Sequence, residues 1–310
     1  MHRPTADLTT RIGSVTLPNP ILTASGTAGH GAELSSYVDL STLGAVVVKS
    51  LKAEPWAGNP GPRVHEVTAG MINSVGLQGP GVEAWLTDEL PALLATGARV
   101  VASIWGTSVA EYEQAALLLA DAPAEVVAVE VNLSCPNTHA SRAMFAHDAE
   151  ATEQVMAVTA VCARPRWAKL SPNVTDLRPI AEAAQRGGAA AVTLVNTVLG
   201  MAVDPATRRY RLGSGANGGG VSGAAIHPVA VRAVHDVHVA FPELPIVGVG
   251  GVSDGGSAAE LLLVGASAVQ VGTATFADPR APARVLAGLR AWLDEQEEHR
   301  VSDVIGSVGT

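Results

Sequence analysis

Eight short apolar runs recur along this chain, and a longer segment with helix-like apolar spacing follows each one. The runs are Ile21 to Ser25, Ala45 to Lys49, Val100 to Ser103, Val126 to Asn132, Arg166 to Leu170, Ala191 to Asn196, Ile246 to Gly250 and Ala268 to Gly272. Runs rich in Val, Ile and Ala that lack polar alternation read as strands buried on both faces, the pattern of a parallel sheet wrapped in helices. Between them, Ser108 to Ala120, Ala149 to Cys162, Leu177 to Arg186 and Ser257 to Val264 have the length and the alanine and leucine content of helices. The junctions GARV (97 to 100), GAAAV (188 to 192) and GASAV (265 to 269) each place Gly-Ala between helix and strand. Glycine closes a helix in the left-handed conformation without a Cβ penalty. No G-x-G-x-x-G turn follows the first strand, and the rhythm continues to Leu293. The pattern therefore predicts an α/β fold, a (β/α)8 TIM barrel, rather than a doubly wound sheet. At 310 residues the chain suits such a barrel with insertions, and residues 1–310 read as a single domain.

Composition removes several function classes. With 47% hydrophobic and 16% charged residues, the chain fills a large core instead of staying disordered. A formal net charge of −9 gives no basic footprint for nucleic acid or an anionic membrane surface, so neither is an expected partner. Cys135 and Cys162 are the only cysteines, too few for a disulfide framework, a four-thiolate zinc site or an iron–sulfur cluster. No metal is expected, and reduced thiols point to the cytoplasm. The opening MHRPTADLTTRIGSVTLPNP has no apolar leader core, and no stretch reaches the ~20 apolar residues of a membrane helix.

Two stretches break the rhythm: Leu51 to Gly79, and Met201 to Ala225 with its SGANGGGVSG run. Both are too long for ordinary strand–helix connections, so they are inserted active-site loops or disordered insertions. Polar residues close the strands that precede them, which favours loops. In a parallel barrel, ligands bind beyond the carboxyl ends of the strands. Those ends are polar here: Lys49-Ser50, Ser103, Asn132, Lys169, Asn196-Thr197, Gly250-Gly251 and Gly272-Thr273. One such residue alone is a capped strand end or a solvated lysine; all of them on one rim read as a site. The glycines after strands seven and eight open backbone N–H groups to a phosphate, which implies a phosphorylated cofactor or substrate. Lys169 is placed to stabilise negative charge developing on an electron-poor ring.

The segment VNLSCPNTH, 131 to 139, puts a cysteine just beyond a strand end, between Asn132 and Asn137. A thiol with an unperturbed pKa of ~8.5 serves as a general base near neutral pH where its surroundings favour the thiolate. A lone cysteine is more often structural, and Cys162, in an apolar helical stretch, reads as core.

NLSCPN (132 to 137), EPWAGNPGPRV (54 to 64), GMINSVGLQGPG (70 to 81), KLSPNVTD (169 to 176), VNTVLG (195 to 200), GGVSGAAIHP (219 to 228), VGVGGV (247 to 252) and VGTATFADP (271 to 279) together resemble the class 1 dihydroorotate dehydrogenases, nearly end to end and in the same order. The resemblance implies FMN across the barrel mouth, with the pyrimidine stacked on it beneath a loop that carries a catalytic cysteine. Cys135 would remove a proton from C5 of dihydroorotate while hydride passes from C6 to the flavin. Lys49, Asn73, Asn132, Asn137, Asn196 and Thr197 would bind the substrate, together with the backbone around Val75, Gly76 and Leu77. Asparagine suits such a ring because one side chain offers both donor and acceptor. The implied FMN residues are Ala24, Ser25, Gly26, Lys49, Ser50, Ser103, Asn132, Lys169, Val195, Gly223, Gly250, Gly251, Gly272 and Thr273.

GLQGPG, the FAHD segment and the FADP tail look nearest the NAD-linked branch, whose members pair with a subunit carrying FAD and a [2Fe–2S] cluster. The resemblance therefore implies a homodimer core within a heterotetramer. This chain departs at Trp56, where the branch usually has a basic residue, and at THASRAM (138 to 144), where it usually has a glycine pair. His227, where lysine is common, reads as a surface change. Rival readings are the fumarate-linked branch, a dihydropyrimidine dehydrogenase-like enzyme acting on uracil or thymine, a flavin-free phosphate-binding barrel, and a non-enzymatic scaffold.

Overall fold

The computed structural model of the chain describes residues 6–134 and 145–309. All eight apolar runs are strands of one parallel sheet: Ile21–Thr23, Val46–Val47, Val100–Ile104, Val126–Asn132, Arg166–Lys169, Ala191–Leu194, Ile246–Val249 and Ala268–Val271. From the second onward each strand pairs with its successor, and the eighth returns to the first with Gln270 beside Leu22. A parallel bridge from Leu22 to Ala45, with the Gly44 N–H donating to the Ile21 carbonyl at 2.8 Å, joins first to second and closes the barrel.

Helices Val109–Leu117, Ala149–Val158, Arg178–Arg186, His227–Ala240, Gly255–Leu263 and Ala281–Glu295 return the chain after the third to eighth strands. Their starts follow from capping chemistry: Ser108 and Asp148 each accept an N–H of the first turn, and Asp254 forms a capping box with Ser257. The junction glycines take the predicted left-handed conformation, with φ of +77° at Gly97, +86° at Gly188 and +117° at Gly265. Two expectations shift. The first strand is followed by the 3-10 turns Glu33–Ser36 and Leu40–Thr42. The helix from Ala149 ends at Val158, and Thr159–Cys162 tightens into a 3-10 turn. Cys162 is fully buried there, and burial pushes its thiol pKa up, as suits a core residue.

The core has two layers. One lies between sheet and helices; the other fills the barrel, where Trp167 is surrounded by Leu22, Ala45, Val47, Val101, Ala128, Ala191, Val247 and Ala268. Four alanines leave room for one indole, the large-beside-small arrangement that a closed interior requires. A hairpin, Thr10–Ile12 with Val15–Leu17, adds Ile12, Val15 and Leu17 to this inner layer. The Thr10 hydroxyl donates to the Ser267 carbonyl at 2.6 Å, just before the eighth strand, so the hairpin plugs the amino-terminal end.

The two interruptions are ordered and meet each other. In the first, Val64–Val67 pairs with Gly70–Asn73, which pairs in turn with Gly219–Ser222 from the second, and Val198–Gly200 completes a four-stranded antiparallel sheet. The alternative of a disordered insertion is thereby corrected: main-chain pairing satisfies the glycine-rich run. Among the described residues, no helix is long and apolar enough to cross a membrane.

Candidate functional site

A cavity opens where the carboxyl ends of the barrel strands meet the insertion sheet. Strand alternation puts every second residue inward, so Lys49, Asn132, Lys169 and Val195 close their strands facing it. Lys49 and Lys169 are its charged lining residues, and no acidic side chain lines it among the described residues. A chain of net charge −9 thus presents a cationic pocket, suited to anionic ligands. Gly26, at φ +87°, makes room for one of these cations: a Cβ there would stand 3.3 Å from the Lys49 Nζ.

One wall is a hydroxyl and amide network. The Ser50 Oγ lies 3.1 Å from the Ser25 Oγ and 2.9 Å from the Ser103 Oγ, and it accepts from the Asn132 Nδ2 at 3.3 Å. Ser103, expected among the cofactor-binding residues of the rim, is fully buried and absent from the cavity lining; it supports Ser50 from behind. The Asn132 Oδ1 accepts from the Ser134 Oγ at 3.0 Å and from the Asn196 Nδ2 at 3.3 Å, while the Tyr112 hydroxyl pins the Asn132 carbonyl at 2.7 Å. The asparagines are held by other protein groups rather than free to rotate. Ser134 is a lining residue that the sequence reading did not name. Cys135 and Asn137 lie outside the described residues, as does THASRAM.

The opposite wall is backbone. Gly223 (φ +101°), Gly250 (φ +136°) and Gly251 (φ +71°) all adopt conformations that side chains avoid, and Gly272 and Thr273 complete the rim. A Cβ on Gly251 would fall 2.6 Å from the His227 Cβ and 3.0 Å from the Gly223 carbonyl. The cradle therefore exists only with glycine. His227 is not the surface change expected of it. Its Nδ1 is 2.7 Å from the Gly250 carbonyl and its Nε2 is 3.0 Å from Glu260, which ties the seventh-strand loop to two helices.

The insertion sheet supplies Asn73, whose Nδ2 donates to the Gly220 carbonyl at 3.3 Å, and the segment Val75, Gly76 and Leu77. Gly220 is required beside Thr197, since a Cβ there would come 2.0 Å from the Thr197 Oγ1. Trp56 holds the 75–77 segment: its indole N–H donates to the Gly76 carbonyl at 3.0 Å, and its backbone bridges to Gly79. The ring stands edge-on to Trp105 at 5.7 Å, with the Lys52 ammonium 4.8 Å from its centroid. Lys52 pairs with Glu111 at 3.0 Å. Burial opposes the Glu111 charge, but the Thr107 hydroxyl and amide and Lys52 outweigh it and hold its pKa below the ordinary range.

Below the lining, Glu130, Thr193 and Gln270 join Lys169 inside the barrel. None was named from sequence. Each stands two positions before a rim residue (Asn132, Val195 and Gly272), so strand periodicity carried the signal.

The residues present fit a phosphorylated flavin. The glycine cradle can take a phosphate, Ala24, Val195 and Val249 offer apolar contact to a flat ring, and Lys169 supplies a cation beside it. A model of the family described as dihydroorotate dehydrogenase matches residues 7–293. The chain is 45% identical over 305 residues to a putative dihydroorotate dehydrogenase A (fumarate) of Solibacter usitatus, covering 98% of this chain and 99% of that protein. It is 47% identical over 297 residues to a dihydroorotate dehydrogenase B (NAD(+)) catalytic subunit of Desulforudis audaxviator, covering 96% and 95%. A dihydroorotate dehydrogenase A (fumarate) of Lactiplantibacillus plantarum is 45% identical over 291 residues, covering 93% and 94%.

Proposed function

The chain belongs to the dihydroorotate dehydrogenase family of FMN-dependent oxidoreductases, and on that premise we propose that it oxidises (S)-dihydroorotate to orotate in pyrimidine (UMP) synthesis. The observation that carries this reading is one cavity in which two lysines, three asparagines and the Val75–Leu77 backbone converge beside a glycine cradle. Bound there, FMN supplies the two-electron acceptor for the hydride that leaves C6. The rest is the work of the chain's own residues. Lys49 and the amides of the 75–77 segment bind the carboxylate. Asn73, Asn132 and Asn196, with Thr197, hold the N–H and C=O groups of the ring. Cys135, next in the chain to the cavity-lining Ser134, takes the C5 proton as its thiolate. Gly223, Gly250, Gly251, Gly272 and Thr273 hold the cofactor phosphate, and Lys169 faces its ring.

In this reading, residues 1–310 act as one cytoplasmic barrel domain. Two copies form the core of a heterotetramer with an FAD/[2Fe–2S] subunit that passes electrons to NAD. The motifs GLQGPG, FAHD and FADP support that branch, and Leu199, Met201, Val203 and Tyr210 give the insertion region exposed apolar surface for association. Relatives named for fumarate at similar identity support a second reading, with fumarate as direct acceptor. Anaerobic mixing of the yellow protein with dihydroorotate tests the reductive half: rapid bleaching is expected, and a flavin that stays oxidised would sink the substrate assignment. Reoxidation by fumarate, without a second protein, would replace the NAD-linked reading with the fumarate-linked one.

A further inference from the structure

One layer beneath the cavity, the barrel holds a charged cluster where barrels of this kind usually place branched aliphatic side chains. Glu130, Thr193 and Gln270 are fully buried, and Lys169 is nearly so. The Lys169 Nζ lies 3.4 Å from the Glu130 Oε1 and 3.3 Å from the Gln270 Oε1. The Glu130 Oε2 accepts from the Gln270 Nε2 at 2.6 Å and from the Thr193 Oγ1 at 3.1 Å. Both carboxylate oxygens therefore have donors, and Gln270 bridges the two charges with its oxygen toward the cation and its amide toward the anion. Two of the lysine's three N–H groups are engaged in this way, and the third has no partner among the described residues. Of these four side chains only Lys169 lines the cavity.

A buried ion pair contributes little net stability compared with apolar residues of equal volume, because desolvation of both ions offsets their attraction. Packing thus gives no reason for Glu130, whereas its partner's position at the cavity does. We propose that Glu130 is a positioning residue that, through Lys169 and with Gln270 as brace, fixes the aim and the net charge of the cation beneath the flavin and so holds the bound flavin's reduction potential down. The proposal rests on the reading of this cavity as the FMN site. Two-electron reduction adds negative charge to the bound group, and an ammonium without its carboxylate would favour that form more strongly.

The test is the potential of the FMN-loaded protein, measured by equilibration with a redox dye and read from flavin absorbance. Glu130→Gln keeps the shape and removes the charge. Its bound flavin should favour the reduced form at least tenfold more than wild type, about 30 mV for a two-electron couple. Glu130→Asp, which keeps the charge, should restore most of the wild-type value. A wild-type potential in Glu130→Gln with flavin bound would overturn the proposal, as would an equal shift in Glu130→Asp. If Glu130→Gln yields no folded holoprotein, Gln270→Met decides, since both charges stay and only the brace goes. A changed potential of the bound flavin there supports the proposal, and a wild-type potential overturns it. No dihydroorotate enters the measurement. A wild-type flavin that dihydroorotate fails to bleach would therefore sink the substrate reading alone.

Discussion

At the scale of single residues, Trp56 does not line the cavity but holds the segment proposed to bind the substrate carboxylate. Its indole N–H holds the Gly76 carbonyl while Gly76 and Leu77 both adopt positive φ, +73° and +59°. The 75–77 amides are thus presented in a conformation that the chain would not choose unaided. Trp56→Phe keeps the packing on Trp105 and loses the bond, worth about 1 kcal/mol, so the KM for dihydroorotate should rise roughly fivefold with kcat little changed. Steady-state kinetics decide it: an unchanged KM would remove Trp56 from the binding machinery. The second residue-scale expectation concerns the proposed base. Cys135→Ala should retain FMN but slow flavin reduction by dihydroorotate at least about 100-fold, the usual scale of general-base catalysis. Cys135→Ser should recover rate only at high pH, because a hydroxyl is a far weaker acid than a thiol. Stopped-flow absorbance across pH reads both, and a fast Cys135→Ala would reassign the base.

At the scale of elements, every barrel strand was legible because burial on both faces leaves an unmistakable apolar run, and the junction glycines marked where helices end. The insertion sheet was not. Its strands are short and half-exposed, and Asn73 pairs with Gly220 across a separation that no local pattern encodes. The rim residues could be read from strand ends, but Ser134 and the Glu130 cluster needed the inward face of each strand to be followed one layer deeper. Helix Gly255–Leu263, which follows the glycine cradle, yields a pH prediction. The Ser257 amide bound to the Asp254 carboxylate holds its pKa below the ordinary value of 3.8. A lowered folded-state pKa contributes stability above the unfolded value and loses it as pH falls through the folded one. Asp254→Ala should therefore cost about 1 kcal/mol at neutral pH, with the difference from wild type shrinking in acid. Urea unfolding at several pH values measures this; a pH-independent difference would contradict the capping role.

At the scale of the whole molecule, cavity residues come from the first strand end, the last strand end and both insertions. A ligand that touches all of these binds only the folded barrel, so occupancy and stability are linked. At FMN one hundredfold above its dissociation constant the stabilisation is about 2.7 kcal/mol, and the melting temperature should rise by roughly 5 °C over the flavin-free protein. Calorimetry of both forms checks it, and equal melting temperatures would mean that the ligand does not bridge these parts.

The same closure orders events in time. The first strand can complete the barrel only against the eighth, and the last part of the glycine rim, Gly272 and Thr273, follows that eighth strand. On the ribosome, then, the asparagines, both lysines and the insertion sheet are synthesised well before the rim that would grip the phosphate is complete. On the proposed reading of this cavity, cofactor capture is one of the final acts of making this protein, and a truncated nascent chain, however much of the proposed substrate side it carries, lacks the rim that would hold the coenzyme.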